Sequence, residues 1–152
     1  MTAMMRSLVS LLGLSLLLVL AGCGTPPEQR LEAPVIQVTG LTAAADGYAV
    51  TLRLVNANTV PMVVAGSTHT LYLGDQKIGR IDDREPIGVP PLGEVAHTVN
   101  LPAKLAPDVR AWLASHPGTI RIATESTLEI TVGTDNDTIK LTSTGRGTVK
   151  TP

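Results

Sequence analysis

The chain of 152 residues has one cysteine, Cys23, no phenylalanine, and only Tyr48, Tyr72 and Trp112 as aromatic residues. A single thiol excludes any disulfide within the chain, so a folded domain must hold by packing alone. With three aromatic rings the core has to be filled by branched aliphatics, and the abundant Val, Leu, Ile and Thr favour strands. Charge is scarce and balanced, 12 basic against 13 acidic side chains, which leaves no basic footprint for nucleic acid. Long apolar runs are missing but for one, residues 8–20, broken only by Ser10, Gly13 and Ser15. It falls short of the about 20 residues that a membrane-spanning helix needs.

Preceded by Arg6, that run has the form of a signal-peptide core. At its end stand Leu20, Ala21, Gly22 and Cys23, a pattern that resembles the bacterial lipobox. The resemblance implies cleavage before Cys23 and lipidation of its sulfur, a good nucleophile toward a lipid donor. Lipoprotein maturation adds more than one acyl chain, and two or more chains anchor stably where one binds only marginally. Gly24 stands where an aspartate, by resemblance to Gram-negative lipoproteins, would argue for retention at the inner membrane. The expected location is therefore the cell envelope, lipid-anchored in the outer membrane and facing the periplasm. Residues 1–22 read as the signal peptide and 23–34 as the lipidated cysteine with a proline-bearing linker. Residues 35–150 read as one domain, of a size that can bury a core without disulfides.

Within that domain the dominant period is two. Tyr48, Val50, Leu52 and Leu54 alternate with Ala49, Thr51, Arg53 and Val55, which predicts a half-buried strand ending at Asn56, Ala57 and Asn58. His69, Leu71 and Leu73 share a face opposite Thr68, Thr70 and Tyr72; Gly74 and Asp75 then turn the chain into residues 76–81, a hairpin signature. Residues 82–93, with three prolines and two glycines, read as a loop, after which Val95, His97 and Val99 share one strand face. The period then changes: Leu105, Val109, Trp112 and Leu113 recur at helical spacing, with Pro107 and Asp108 at the start and Pro117 and Gly118 at the end. Further alternation at 120–122, 128–132 and 139–141 completes an expected all-β fold. It is an immunoglobulin- or fibronectin III-like β-sandwich of about six to eight strands with one short helix.

Residues 48–58 (YAVTLRLVNAN), Pro61, 71–79 (LYLGDQKIG) and 87–99 (IGVPPLGEVAHTV) resemble, in order and content, the late embryogenesis abundant (LEA) type 2 family, also described as the water stress and hypersensitive response domain. The resemblance covers residues 35–149. It implies a turn in which Asn56 and Asn58 satisfy backbone amides ahead of Pro61, although Ala57 stands where the family has a middle proline. It also implies a role in desiccation or stress tolerance, and no catalytic residue.

The residues themselves point the same way on chemistry. Gly66 and Ser67 lack the later glycine of a nucleophile elbow, and His69, His97 and His116 lack paired metal-ligand spacing. Asp82, Asp83 and Glu85 could hold a cation only if a loop wrapped oxygens around it, and Arg80 and Arg84 interleave to neutralise them, so a solvated loop is the favoured reading. Trp112, in the helical stripe, reads as core packing. No enzyme, metal, cofactor or small-molecule substrate is inferred; the expected partners are the membrane, through lipid on Cys23, and other envelope proteins. Two functions follow: protection in desiccation or envelope stress, or an adaptor that binds an envelope protein through a strand edge.

Overall fold

The computed structural model describes residues 31–45, 47–131 and 137–150. The elements described below belong to one compact unit that begins at Glu32. Cys23, the signal peptide and most of the turn expected at 133–137 lie outside the described residues.

Among the described residues eight strands and one short helix form, in the order β1 Val35–Ala44, β2 Gly47–Val55, β3 Met62–Leu73, β4 Gln76–Asp83, β5 Ile87–Val89, β6 Glu94–Asn100, a 3-10 turn Ala103–Leu105, α1 Ala106–Ser115, β7 Thr119–Thr131 and β8 Thr138–Lys150. Alternation fixes which face each strand buries. Val50, Leu52 and Leu54 of β2 are each about 1% exposed, while Thr51, Arg53 and Val55 between them stay half exposed. The β3–β4 hairpin turns at Gly74, whose φ of 58° suits a residue without Cβ.

Three elements differ from the sequence reading. β3 is one strand of 12 residues because a register shift between Val64 and Gly66 changes the inward parity from Met62 and Val64 to Ser67, His69, Leu71 and Leu73. The expected loop at 82–93 contains the end of β4 and the short strand β5, which pairs with β3 through Met62↔Val89 and Val64↔Ile87. The alternating residues 120–122 and 128–131 belong to a single strand, β7, paired along its whole length with β8.

The ladder is continuous, β4-β3-β7-β8-β1-β2-β6, and curls into a half-barrel. The two separate sheets of an immunoglobulin-like sandwich are thus replaced by one bent sheet. The join between its halves is the parallel contact of β1 with β8, limited to Ile36↔Gly145 and Gln37↔Arg146. Two glycines make it possible: an added Cβ on Gly145 would lie 2.7 Å from Ile36 Cγ2, and one on Gly147 would overlap the Val38 carbonyl. β1 therefore packs against β8 where side chains would keep it away.

The helix closes one end of the half-barrel. Leu105, Ala106 and Val109 are buried, and Leu105 reaches so close to Gly79 of β4 that a Cβ there would lie 2.6 Å from it. Pro107 takes the first turn, where its missing N–H forfeits no bond, and Asp108 complements the positive helix end. Trp112 is half-buried; it covers Gly74 and stacks on His116 at a centroid distance of 4.0 Å.

Candidate functional site

Two polar constellations stand out from the aliphatic interior. The first is the turn after β2. Asn56 is 1% exposed, and burial of its amide requires every hydrogen-bonding atom to find a partner. Its Nδ2 donates to the carbonyls of Val60 at 2.8 Å and Pro90 at 3.0 Å, while its Oδ1 accepts from the backbone N–H and the Nδ2 of Asn58, both at 2.9 Å. The Asn56 N–H donates to Gly93 and the Leu92 N–H to Asn58, so the turn at 90–93 is tied to the turn at 56–60. Asn58 also exchanges two hydrogen bonds with the backbone of Glu32, each 2.9 Å, and so pins the chain where it enters β1. Ala57 and Pro61 are exposed and take no part; Pro61 lacks the N–H needed for pairing, and β3 starts just after it.

The second constellation lies inside the half-barrel. His69 on β3, 3% exposed, is hydrogen-bonded by Ser67 Oγ to Nε2 at 2.8 Å and by Ser126 Oγ of β7 to Nδ1 at 2.7 Å. A neutral ring suits this pair, since one nitrogen donates and the other accepts, and a hydroxyl can do either. Burial lowers the His69 pKa to about 4; the Asp83 carboxylate pulls against that shift and His97 adds to it. Nearby, His97 Nε2 of β6 meets Asp83 Oδ2 of β4 at 2.6 Å, with side chains only 12% and 15% exposed. As β4 and β6 are the two ends of the ladder, this bond spans the open side of the half-barrel. Thr124 Oγ1 of β7 is buried without a hydrogen-bond partner among the described residues.

Asp82 and Asp83 are consecutive strand residues, so their carboxylates face opposite ways. Asp82 turns outward, where the Thr68 hydroxyl and then Arg80 hold its carboxyl below the usual range. Asp83 turns inward to His97 and accepts the Glu85 N–H at 3.1 Å, while Arg84 pairs with Glu129. No group of three or more His, Cys, Asp or Glu side chains converges on a metal-sized centre among the described residues.

Residues 51–151 match the profile of the family described as late embryogenesis abundant protein (LEA_2), more than half of the chain and a span that includes Asn56, Asn58, His69 and His97. The chain belongs to this late embryogenesis abundant family. Similar solved structures include a protein from Archaeoglobus fulgidus, 17% identical, with 80% of this chain and 98% of that one covered and a TM-score of 0.41. AT1g01470 from Arabidopsis thaliana is 15% identical, with 84% and 91% covered and a TM-score of 0.45. At2g46140.1, assigned as a late embryogenesis abundant protein, is 15% identical, with 96% and 87% covered and a TM-score of 0.42. No curated protein sequence matches the chain. The LEA match starts inside β2, so β1 and the Glu32 contact fall outside it.

Within this LEA domain the alternation of residues 67–73 and 95–99 already placed His69 and His97 on apolar faces. What alternation could not supply was the partner of either ring, because Ser126 is 57 residues from His69 and Asp83 comes from another strand.

The His69 environment makes stability pH-dependent in a defined window. The unfolded ring takes up a proton near pH 6.5 and the native ring near pH 4, so between these values the unfolded chain binds more protons. The contribution is complete above pH 6.5 and is lost as the pH falls toward 4, reaching about 3 kcal/mol at about 1.4 kcal/mol per unit. Urea unfolding at steps from pH 7 to 4.5 should show this loss, and His69→Gln should flatten it while costing about 1–2 kcal/mol at pH 7. An unchanged slope in the variant would assign the acid sensitivity to other groups.

Proposed function

We propose that this LEA type 2 domain is the folded part of a bacterial lipoprotein, cut before Cys23, held by lipid on the periplasmic face of the outer membrane, and protective during desiccation or envelope stress. The observation that carries the anchoring is the run 8–20 ending in Leu20, Ala21, Gly22 and Cys23; family membership carries the stress role. A physical route to protection is available on the outer face of the sheet. Thr68, Thr127 and Thr142 form one cross-strand row, and Thr70 and Thr144 flank Glu125 in the next. Hydroxyls both donate and accept, so such rows can take the place of water at the polar surface of another envelope protein as water is withdrawn.

The experiment compares the unmodified chain with Cys23→Ser in the native host. Expected results are a diacyl or triacyl mass on the unmodified protein, its loss together with membrane retention in the variant, and lower survival after drying. Equal survival of a deletion strain under conditions of abundant expression would remove the stress role, and a soluble, unlipidated native product would remove the anchor. The adaptor reading has its own support in β4 and β6, each paired on one side only at the ends of the ladder. One stoichiometric partner, constant with and without stress, would favour it.

A further inference from the structure

Beyond their two paired positions, β1 and β8 separate. A register shift between Val38 and Gly40 changes the parity of β1, so that Leu41 and Ala43 follow Ile36 and Val38 on the inner side and β1 continues with β2. β8 continues with β7 to Lys150. The gap between them is not closed by backbone pairing, and α1 lies across it with Leu113 and Ala114 beyond the buried Val109. What remains is a cavity of about 310 Å³ with Leu41, Ala43, Leu113, Ala114 and Val149 as apolar walls.

Its polar lining carries no carboxylate. Arg110, Lys150 and Tyr48 border the cavity, and among the described residues none of their side chains has a hydrogen-bond or ion-pair partner. Two unneutralised cations and a phenol hydroxyl beside an apolar wedge complement a ligand that is anionic at one end and hydrocarbon at the other. A guanidinium offers two parallel donors, the geometry that a carboxylate accepts. The volume stands at the low end of the range of about 300–1,000 Å³ for ligand pockets, which fits one acyl chain and not two.

We propose that the wedge between β1, β8 and α1 binds a single-chain fatty carboxylate, its head held by Arg110 and Lys150 and its chain lying against Leu41, Leu113 and Val149. This site is independent of the Cys23 anchor and of the stress role. An acyl ligand gains affinity with length, about fourfold for each methylene fully buried. The two cations set the preference for an anionic head.

The test uses membranes that hold the full chain and a dodecanoate bearing a diazirine in its chain, with crosslinks located by peptide mass spectrometry. The expected result is labelling concentrated near residues 110–114 and 148–150, displaced by dodecanoate but by neither hexanoate nor dodecylammonium. Arg110→Ala should lower the labelling about tenfold through loss of a charge-assisted hydrogen bond. Ala114→Trp, at an exposed helix position that can accept a larger side chain, should fill the wedge and abolish labelling while leaving both charges in place. Labelling spread evenly over the domain, equal displacement by dodecylammonium, or unchanged labelling in Ala114→Trp would overturn the proposal. Displacement by a two-chain phospholipid but not by dodecanoate would overturn it in favour of a lipid headgroup.

Discussion

Gly147→Ala is expected to destabilise the domain by about 3 kcal/mol or more, a drop on the order of 10 °C in Tm. The added methyl would overlap the Val38 carbonyl, which is backbone and has no rotamer by which to withdraw. β1 would have to move off β8, where strand pairing joins the two halves of the sheet. Gly88 in β5 is the matched control, since a Cβ there meets nothing within 4 Å. Gly88→Ala should change stability by less than about 0.5 kcal/mol. Urea or thermal unfolding of the two variants decides the matter: coincident transitions would mean that the β1–β8 junction contributes little.

Asn56→Ala is the second change of large effect. It would remove two donors and one acceptor from a site that is 1% exposed, leaving the carbonyls of Val60 and Pro90 and two N–H groups of Asn58 short of a partner. At about 1 kcal/mol for each lost bond, and more for groups left buried, the cost should be about 3–4 kcal/mol. Asn56→Asp should be nearly as costly: it keeps the acceptor, but sets a carboxylate against two carbonyl oxygens in a buried place. Asn58→Ala, at a half-buried position, should cost about half as much and free the chain at Glu32. These differences are measured by urea unfolding, with hydrogen exchange at the Leu92 and Glu32 amides reporting the loosened turn. A cost below about 1 kcal/mol for Asn56→Ala would show that water can replace the side chain there.

Much of the architecture is readable in the order of residues because strand parity and helical spacing are local. Val50, Leu52 and Leu54 announce their buried face, Gly74 and Asp75 their turn, and Leu105 and Val109 the helix that closes the end of the sheet. β5 was missed because three residues between prolines, Ile87–Val89, are too few to show a period; only the neighbouring β3 makes them a strand. The single β3 was missed because the irregularity near Ala65 breaks the alternation that would have revealed it.

The candidate sites divide in the same way. Asn56 and Asn58 were legible as a turn, since an asparagine two residues before a backbone amide can bond it within the same segment. Their hold on Pro90 and Glu32, 34 and 26 residues away, was not. Nor was the wedge beside Arg110 and Lys150, which exists only because two strands distant in sequence meet and then part.

The sequence by itself determined the strand-rich class, the inward faces of β2 and β7, the helix after β6 and the family, because each follows from composition, from a period within about ten residues or from motifs in fixed order. The tertiary structure alone decided that the strands form one curled sheet, that His69 lies between Ser67 and Ser126, and that His97 reaches Asp83 across the open side. Those contacts join residues far apart in the chain, and their energies depend on register and burial, which no local pattern of residues encodes.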